Sequence, residues 1–300
     1  MSFLAELTLG GMPLTLIWEL FGFALLAAMF AGLVAPLVGC FLLVRRTGFY
    51  GVTLPQFAAA GIAFGFAIQP WWEAHFGRFL HPVEMGDDAH LALSYHMQWA
   101  GLFTLGGLFA MALATRKKSG NETSIMAAAF ALASALTILF AQASAQGDIF
   151  VTDLLKGEIL TIDDHELGVL VGTLGLVAVL LLAFRRELTQ VGYDTELARV
   201  LGRRPLLWEA LLMLLVGATV SAAVMTVGPI LLFGLLVIPP LAARAFAGSM
   251  GQFLWLSSLA GLLSAAGGIW TSFHFDWPLG PSLVAFAALL LIPAAFGKRL

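Results

Sequence analysis

The chain has 300 residues, of which 60% are hydrophobic and only 11% are charged, and its mean hydropathy is +0.94. Soluble domains are roughly 45–50% apolar and about 25% charged, so this composition excludes a soluble globule and predicts that lipid solvates much of the chain. The net charge of −3 provides no basic surface for nucleic acid, and the single cysteine, Cys40, excludes an intrachain disulfide and a thiolate metal cluster.

Nine apolar segments separated by charged residues account for most of the chain. A helix needs about 20 apolar residues to cross a hydrocarbon core about 30 Å thick, and the sequence lacks the alternating pattern of a barrel. The segments are 17–44, 51–70, 98–115, 123–143, 167–184, 206–227, 229–246, 253–272 and 281–297. In segment 229–246, Gly228-Pro229 and Pro239-Pro240 are able to break the helix into a short hairpin. We therefore predict an all-α polytopic transmembrane helical bundle of about nine spans (eight to nine), forming a single domain over residues 1–300.

Lys and Arg are concentrated on one side of this predicted bundle. With nine spans, 13 of the 15 basic residues fall on one side, and only Arg78 and Lys156 fall on the other. The thirteen are Arg45, Arg46, Arg116, Lys117, Lys118, Arg185, Arg186, Arg199, Arg203, Arg204, Arg244, Lys298 and Arg299. Because loops rich in Lys and Arg face the cytoplasm, we predict an N-terminus outside and a C-terminus inside.

The opposite, outer side of the predicted bundle is rich in histidine and carboxylates. All six histidines fall there, several of them in a long outer loop over 71–97. Carboxylates attract cations and, together with imidazole, suit divalent transition metals. The candidate metal-binding residues on this face are His81, Asp87, Asp88, His90, His96 and Glu158. Outer loops are also acidic simply because Lys and Arg are excluded from them, and the loop 71–97 is equally consistent with a flexible hydrophilic connection or a contact with a binding protein.

The longest inner connection, residues 186–205, contains a short helix with its own end signals. Asp194 is a residue type that caps helix N-termini, Glu196 suits the first turn, and Gly202 suits the C-terminal cap. Leu197, Val200 and Leu201 form an apolar stripe at helical spacing. Arg203 and Arg204 allow the helix to lie on the bilayer, but a stripe this short would hold weakly to lipid. This favours a helix that docks into a protein.

Four stretches of the chain, in order, resemble one family of membrane proteins. They are LVGCFLLVRRTGFYGVTLPQFAAAGIAFG (Leu37–Gly65), LLKGEILTIDDHEL (Leu154–Leu167), DTELARVLG (Asp194–Gly202) and TVGPILLFGLLVIPPLAARAFA (Thr226–Ala247). Apolar runs align with many proteins, but the order and spacing of these pieces together resemble the membrane permease subunit of the zinc/manganese/iron ATP-binding-cassette importers.

This resemblance implies a permease domain in the inner (plasma) membrane that works as one part of an assembly. Two copies of the permease would form the translocation path as a homodimer, and an outer solute-binding protein would deliver a divalent metal ion. Two cytoplasmic ATPase subunits would bind the coupling segment, in which the resemblance implies roles for Asp194, Glu196, Leu197, Ala198 and Gly202. The chain has no glycine-rich phosphate-binding loop, so we expect the partner to use the ATP, and we expect this chain to be no enzyme and to bind no cofactor.

The sequence departs from the family at the positions that the resemblance assigns to the translocation path. There the family pattern reads Gly-Asp-x-x-x-His-x-x-x-x-Gly, with the carboxylate and the imidazole as metal ligands four residues apart on one helical face. In this chain Val52 and Gln56 occupy those two positions, between Gly51 and Gly61. Valine cannot ligate and an amide is a poor zinc or manganese ligand. The chain therefore either moves a metal by weaker or outer-loop contacts, or moves a metal chelate or another small solute.

Two other classes of membrane protein fit the sequence less well. A polytopic membrane enzyme requires clustered His, Asp and Glu at its spans, and no HExxH motif is present. A stand-alone secondary transporter or channel is expected to carry coupling charges within its spans, whereas these apolar segments carry almost none.

Overall fold

The computed structural model describes residues 8–9, 12–76, 89–115, 122–156, 162 and 164–296. Within this part of the chain are thirteen helices: α1 (Leu14–Val44), α2 (Tyr50–Phe76), α3 (Ala89–Thr115), α4 (Glu122–Ala141), α5 (Ala145–Lys156), α6 (Asp164–Ala183), α7 (Arg185–Tyr193), α8 (Thr195–Val200), α9 (Pro205–Val227), α10 (Pro229–Arg244), α11 (Met250–Phe275), α12 (Leu279–Leu289) and α13 (Leu291–Ala295). Two-residue strands, β1 (Thr8–Leu9) and β2 (Met12–Pro13), pair antiparallel before α1.

The prediction of an all-α multi-pass membrane bundle is confirmed, with the short β1–β2 pair as the one non-helical element with regular structure among the described residues. Each of the nine predicted spans coincides with a helix. Seven helices, α1, α2, α3, α4, α6, α9 and α11, are long and apolar enough to cross a membrane. The other two spans correspond to shorter apolar stretches, Pro229–Arg244 and Leu279–Ala295. At a rise of 1.5 Å per residue, the 16-residue α10 is about 24 Å long, which is less than the hydrocarbon thickness.

The connection predicted over 71–97 is helical at both of its ends. Helix α2 continues to Phe76 and α3 begins at Ala89, so the connection between them is confined to 77–88, which lies outside the described residues. Aromatic packing explains the extra helical turns. The rings of Trp72 and Trp99 meet edge to face with centroids 6.1 Å apart, and Phe64 packs against Trp99 at 4.9 Å. These contacts between α2 and α3 stabilise turns whose polar residues resemble a loop in the sequence.

Helix α5 is a short amphipathic helix that the sequence interpretation did not include. Its Val151 and Leu154 are buried, while Ile149 is 67% exposed, and the helix packs against α2 and α4. It covers part of the bundle between α4 and α6.

The centre of the bundle is formed by α1 and its neighbours, which approach closely at small residues. Helix α1 packs against α6, α9, α10 and α11, and α2 packs against α3 and α4. A Cβ on Gly39 would collide with the carbonyl oxygen of Leu236 in α10, and Gly32 faces Gly261 of α11 in the same way. Without a hydrophobic driving force between helices in lipid, such close backbone contact is what stabilises their association.

The region that allowed a hairpin over 229–246 is one helix. Gly228, with φ of 77°, separates α9 from α10, and Pro229 occupies the first turn of α10 where its missing N–H costs nothing. Pro239 and Pro240 lie inside α10. Pro240 leaves the carbonyl of Leu236 without its helical donor, and this carbonyl faces Gly39. The proline pair alone would favour a break in α10. Packing of α1 onto the irregular turn therefore keeps this segment helical.

Candidate functional site

Val52 and Gln56 lie four residues apart in the first two turns of α2, so their side chains share one face of the helix. Both residues are half-buried. Thr53 lies between them and donates to the carbonyl of Phe49 at 3.0 Å and to that of Met126 in α4 at 3.4 Å. Thr137 of α4 donates to the backbone carbonyl of Gln56 at 3.5 Å. Two threonine hydroxyls therefore hold α4 beside this stretch of α2.

This face of α2 offers an aliphatic side chain and a neutral amide. The amide of Gln56 provides an oxygen acceptor and an N–H donor, which suit a polar or hydrated solute and bind a transition metal weakly. Among the residues that the structure describes, no group of three or more His, Cys, Asp or Glu side chains is positioned to hold a metal ion. This face of α2 thus has the chemistry of a weak, transient site for a metal ion.

Most of the predicted outer-face metal residues lie outside the described part of the chain. His81, Asp87, Asp88 and Glu158 are in undescribed segments, and His90 lies in α3 with a side chain that is not described. Their role as metal ligands stays a prediction.

His96 is described, and it lies at a helix interface rather than on an exposed loop. It is 6% exposed and stacks on the ring of Phe66 with centroids 3.9 Å apart. Its Nδ1 has no hydrogen-bond partner among the described residues and lies against Gly65. The sequence interpretation placed His96 in the outer connection over 71–97, and the aromatic content of both helices is the signal that would have identified this packing.

The predicted ends of the short connector helix are confirmed by its geometry. The Asp194 carboxylate accepts from the backbone N–H of Glu196 at 3.0 Å and of Leu197 at 2.9 Å. At the other end Gly202 has φ of 75°, and its N–H donates to the carbonyl of Arg199 at 3.1 Å. The N–H of Arg203 donates to the carbonyl of Ala198 at 3.0 Å, which completes a Schellman motif. Helix α8 is therefore defined by local hydrogen bonds at both termini.

Helix α8 turns its apolar stripe outward. Only Ala198 is buried, at 1% exposure, whereas Leu197, Val200 and Leu201 are 55%, 84% and 61% exposed. The exposed apolar surface continues into the start of α9 at Leu206 and Leu207, which are 74% and 58% exposed. We call these five exposed side chains, Leu197, Val200, Leu201, Leu206 and Leu207, the docking patch. Contiguous exposed apolar surface among charged residues is typical of an interaction site.

Two ion pairs connect the docking patch to the rest of the bundle. Arg203, directly after α8, pairs with Glu187 of α7 at 3.5 Å. Glu209, in the first turns of α9, pairs with Arg45 at the end of α1 at 3.2 Å. Sequence reasoning missed this pair, because its two residues are 164 positions apart in the chain. The two pairs therefore link the residues that flank the docking patch to α7 and to the central helix α1.

Comparisons with known proteins agree with this architecture. The profile of the ABC 3 transport family matches residues 18–298. The manganese import system permease protein ScaB of Streptococcus gordonii is 25% identical over 276 residues, covering 91% of this chain and 89% of its own length. The high-affinity zinc uptake system membrane protein ZnuB of Buchnera aphidicola is 27% identical over 157 residues, covering 52% of this chain and 60% of its own.

A solved structure has the same fold. PsaBC from Streptococcus pneumoniae in complex with Fab matches with a TM-score of 0.74 and 22% identity, over 93% of both chains. Because the family profile spans nearly the whole chain, and the fold and the order of the motifs agree with it, this chain belongs to the ABC 3 transport family.

Proposed function

We propose that this chain is the transmembrane permease subunit of an ATP-driven importer of a divalent metal ion, zinc, manganese or iron, across the inner membrane. The observation that carries the proposal is the combination of the ABC 3 family match with a rigidly capped helix that exposes an apolar docking patch. Relatives whose names state manganese and zinc transport support the cargo.

ATP hydrolysis belongs to a separate cytoplasmic subunit that binds the docking patch. The sequence of this chain has no G-x-x-x-x-G-K-[ST] motif that would cradle phosphates. Asp194 and Gly202 define the ends of α8, Ala198 anchors it inward, and Glu196 stabilises its first turn. Closure of the ATPase subunits would displace α8 as a rigid body and, through the Arg203–Glu187 and Arg45–Glu209 pairs, shift α7 and α1.

The remaining architecture follows from the distribution of charge. We propose that all nine apolar stretches cross the membrane, with the N-terminus outside and the basic loops inside. Two copies of the chain would enclose the path along a two-fold axis, and an outer solute-binding protein would deliver the cargo to the face that carries His81, Asp87, Asp88, His90 and Glu158.

A second cargo is favoured by one specific observation. Val52 and Gln56 present a neutral surface at the family's ligand positions, which suits a metal chelate or another small solute better than a bare cation. For a bare metal ion, the same pair would provide a weak site of fast exchange.

Cellular metal content separates a metal-containing cargo from a solute that carries no metal. In a strain that lacks this gene and the other importers, grown under metal starvation, we expect one of manganese, zinc and iron to fall selectively and to recover when the gene is restored. A metal chelate would also lower the content of its metal, so unchanged contents of all three metals would contradict both metal cargoes and favour a small solute that carries no metal.

A pair of substitutions tests the role of the α2 face. Val52→Asp with Gln56→His recreates the family's ligand pair, and we expect it to raise the affinity of the purified permease for manganese or zinc at least tenfold. The matched control is Phe57→His, which adds an imidazole to α2 but leaves Val52 and Gln56 unchanged. This variant should leave metal affinity unchanged. If V52D/Q56H binds metal no better than the parent chain, this face of α2 does not line the path.

A further inference from the structure

A cavity rich in arginine lies at the same end of the bundle as α8. It has a volume of about 640 Å³ and lies between the end of α1, the end of α7 and the turn that joins α10 to α11. Three arginines line it, Arg45, Arg46 and Arg244, and its lining contains no Asp or Glu. We call it the arginine cavity. Its volume is within the range of about 300–1,000 Å³ that is typical of small-molecule sites.

The positive charge of the arginine cavity is only partly balanced. Arg45 is paired with Glu209, but Arg46 and Arg244 are exposed and have no carboxylate within salt-bridge distance among the described residues. Ser249, the N-cap of the 26-residue α11, also lines the cavity. The positive end of the α11 dipole adds to the guanidinium charges. The cavity is therefore electrostatically complementary to an anion.

Arg46 occupies a backbone conformation that normally selects glycine. The φ of Arg46 is 59°. The N–H of Arg46 donates to the carbonyl of Leu43 at 3.0 Å, and the N–H of Thr47 donates to the carbonyl of Leu42 at 2.9 Å. This is the Schellman end of α1 with arginine at the position where glycine is usual. A non-glycine residue there costs roughly 1–2 kcal/mol. Helix termination does not explain the arginine, since glycine would end α1 better, so the side chain has another role.

The depth of the arginine cavity identifies the class of anion. It lies where the membrane helices α1 and α10 end and α11 begins, which is the level of the lipid headgroups. Phe246 and Trp255 flank the same turn and are 56% and 66% exposed, as expected for anchors at the boundary between headgroups and acyl chains. Basic cavities between helix ends on the cytoplasmic side bind the headgroups of anionic lipids.

We propose that the arginine cavity binds the phosphate group of an anionic phospholipid. Arg46 and Arg244 contact the phosphate oxygens through their planar guanidinium groups, which suit bidentate contacts with phosphate. Gly192 and Tyr193 also line the cavity and directly precede the Asp194 cap, so the bound lipid touches the residues that lead into α8. The proposal rests on the proposed function for the crossing of the membrane by α10 and for the assignment of the lipid to the cytoplasmic leaflet.

Lipid binding to the purified full-length chain in detergent tests the proposal. Native mass spectrometry would compare phosphatidylglycerol with phosphatidylethanolamine, which has similar acyl chains and no net charge. We expect at least tenfold tighter binding of phosphatidylglycerol, and we expect R46G combined with R244Q to abolish this preference. R46G suits the backbone at this position and should remain folded. R186Q, which removes an exposed charge outside the cavity, is the matched control and should retain the preference.

Four results would overturn the proposal. Equal binding of the two lipids, or a preference that persists in R46G/R244Q, would show that the cavity does not select the lipid. Displacement of phosphatidylglycerol by millimolar inorganic phosphate would identify a free anion as the ligand. Displacement by added ATPase subunit would assign the cavity to a carboxylate of that partner. Because the measurement needs neither cargo nor ATP, its failure is distinguishable from failure of the proposed transport function.

Discussion

Helix α8 is short enough for its stability to be controlled by its two ends. It has six residues and buries only Ala198, so little packing compensates for a lost cap. Asp194→Ala removes the acceptor for two backbone N–H groups, which costs about 1 kcal/mol. Gly202→Ala places a Cβ at φ of 75°, which costs about 1 kcal/mol more. The double variant D194A/G202A therefore loses about 2 kcal/mol of local stability, and the folded fraction of α8 falls by up to about 30-fold.

The affinity for the ATPase subunit should fall with this loss of α8 stability. We expect D194A/G202A to bind the purified ATPase up to about 30-fold more weakly in nanodiscs, because the partner must refold α8 on docking. D194N retains a capping oxygen and should bind within twofold of the parent chain. V200E places a charge in the docking patch and should abolish binding, whereas F296E, at an equally exposed residue outside the patch, should bind like the parent chain.

Hydrogen exchange over residues 194–202 provides the independent check. If the double variant exchanges faster there but binds the ATPase with unchanged affinity, then α8 is not the docking element. The reasoning from the capped helix to the docking patch would then be refuted.

Three further predictions concern stability. Gly61→Ala should lower the thermal unfolding midpoint by the equivalent of about 1–3 kcal/mol, since the new Cβ would collide with the α3 backbone, whereas Gly106→Ala, inside α3 with nothing within 4 Å, should leave the midpoint unchanged or raise it. A double-mutant cycle of Arg45→Gln and Glu209→Gln should give a favourable coupling energy of about 0.2–1 kcal/mol, and zero coupling would contradict a stabilising role for the pair. Arg46→Gly should raise the unfolding midpoint in lipid-free detergent, since glycine suits φ of 59°; a lower midpoint would contradict the assignment of backbone strain there.

The sequence by itself determined the features that depend on composition and on neighbouring residues. Hydropathy located all nine helical stretches, because in lipid an apolar segment of sufficient length must satisfy its backbone hydrogen bonds internally. The ends of α8 were also predictable, because the Asp194 cap and the Gly202 turn involve atoms within a few residues of each other.

The features that join distant parts of the chain depend on tertiary packing and could not be predicted from the sequence. The helical state of α10 depends on packing of α1 at Gly39, which local proline rules do not include. The burial of His96 depends on its stacking with Phe66, although both lie beside residues that resemble a loop. The arginine cavity combines Arg45 and Arg46 with Arg244, which is about two hundred residues further along. Sequence separation hides such contacts, since their energy arises from side chains that meet only after the helices have packed.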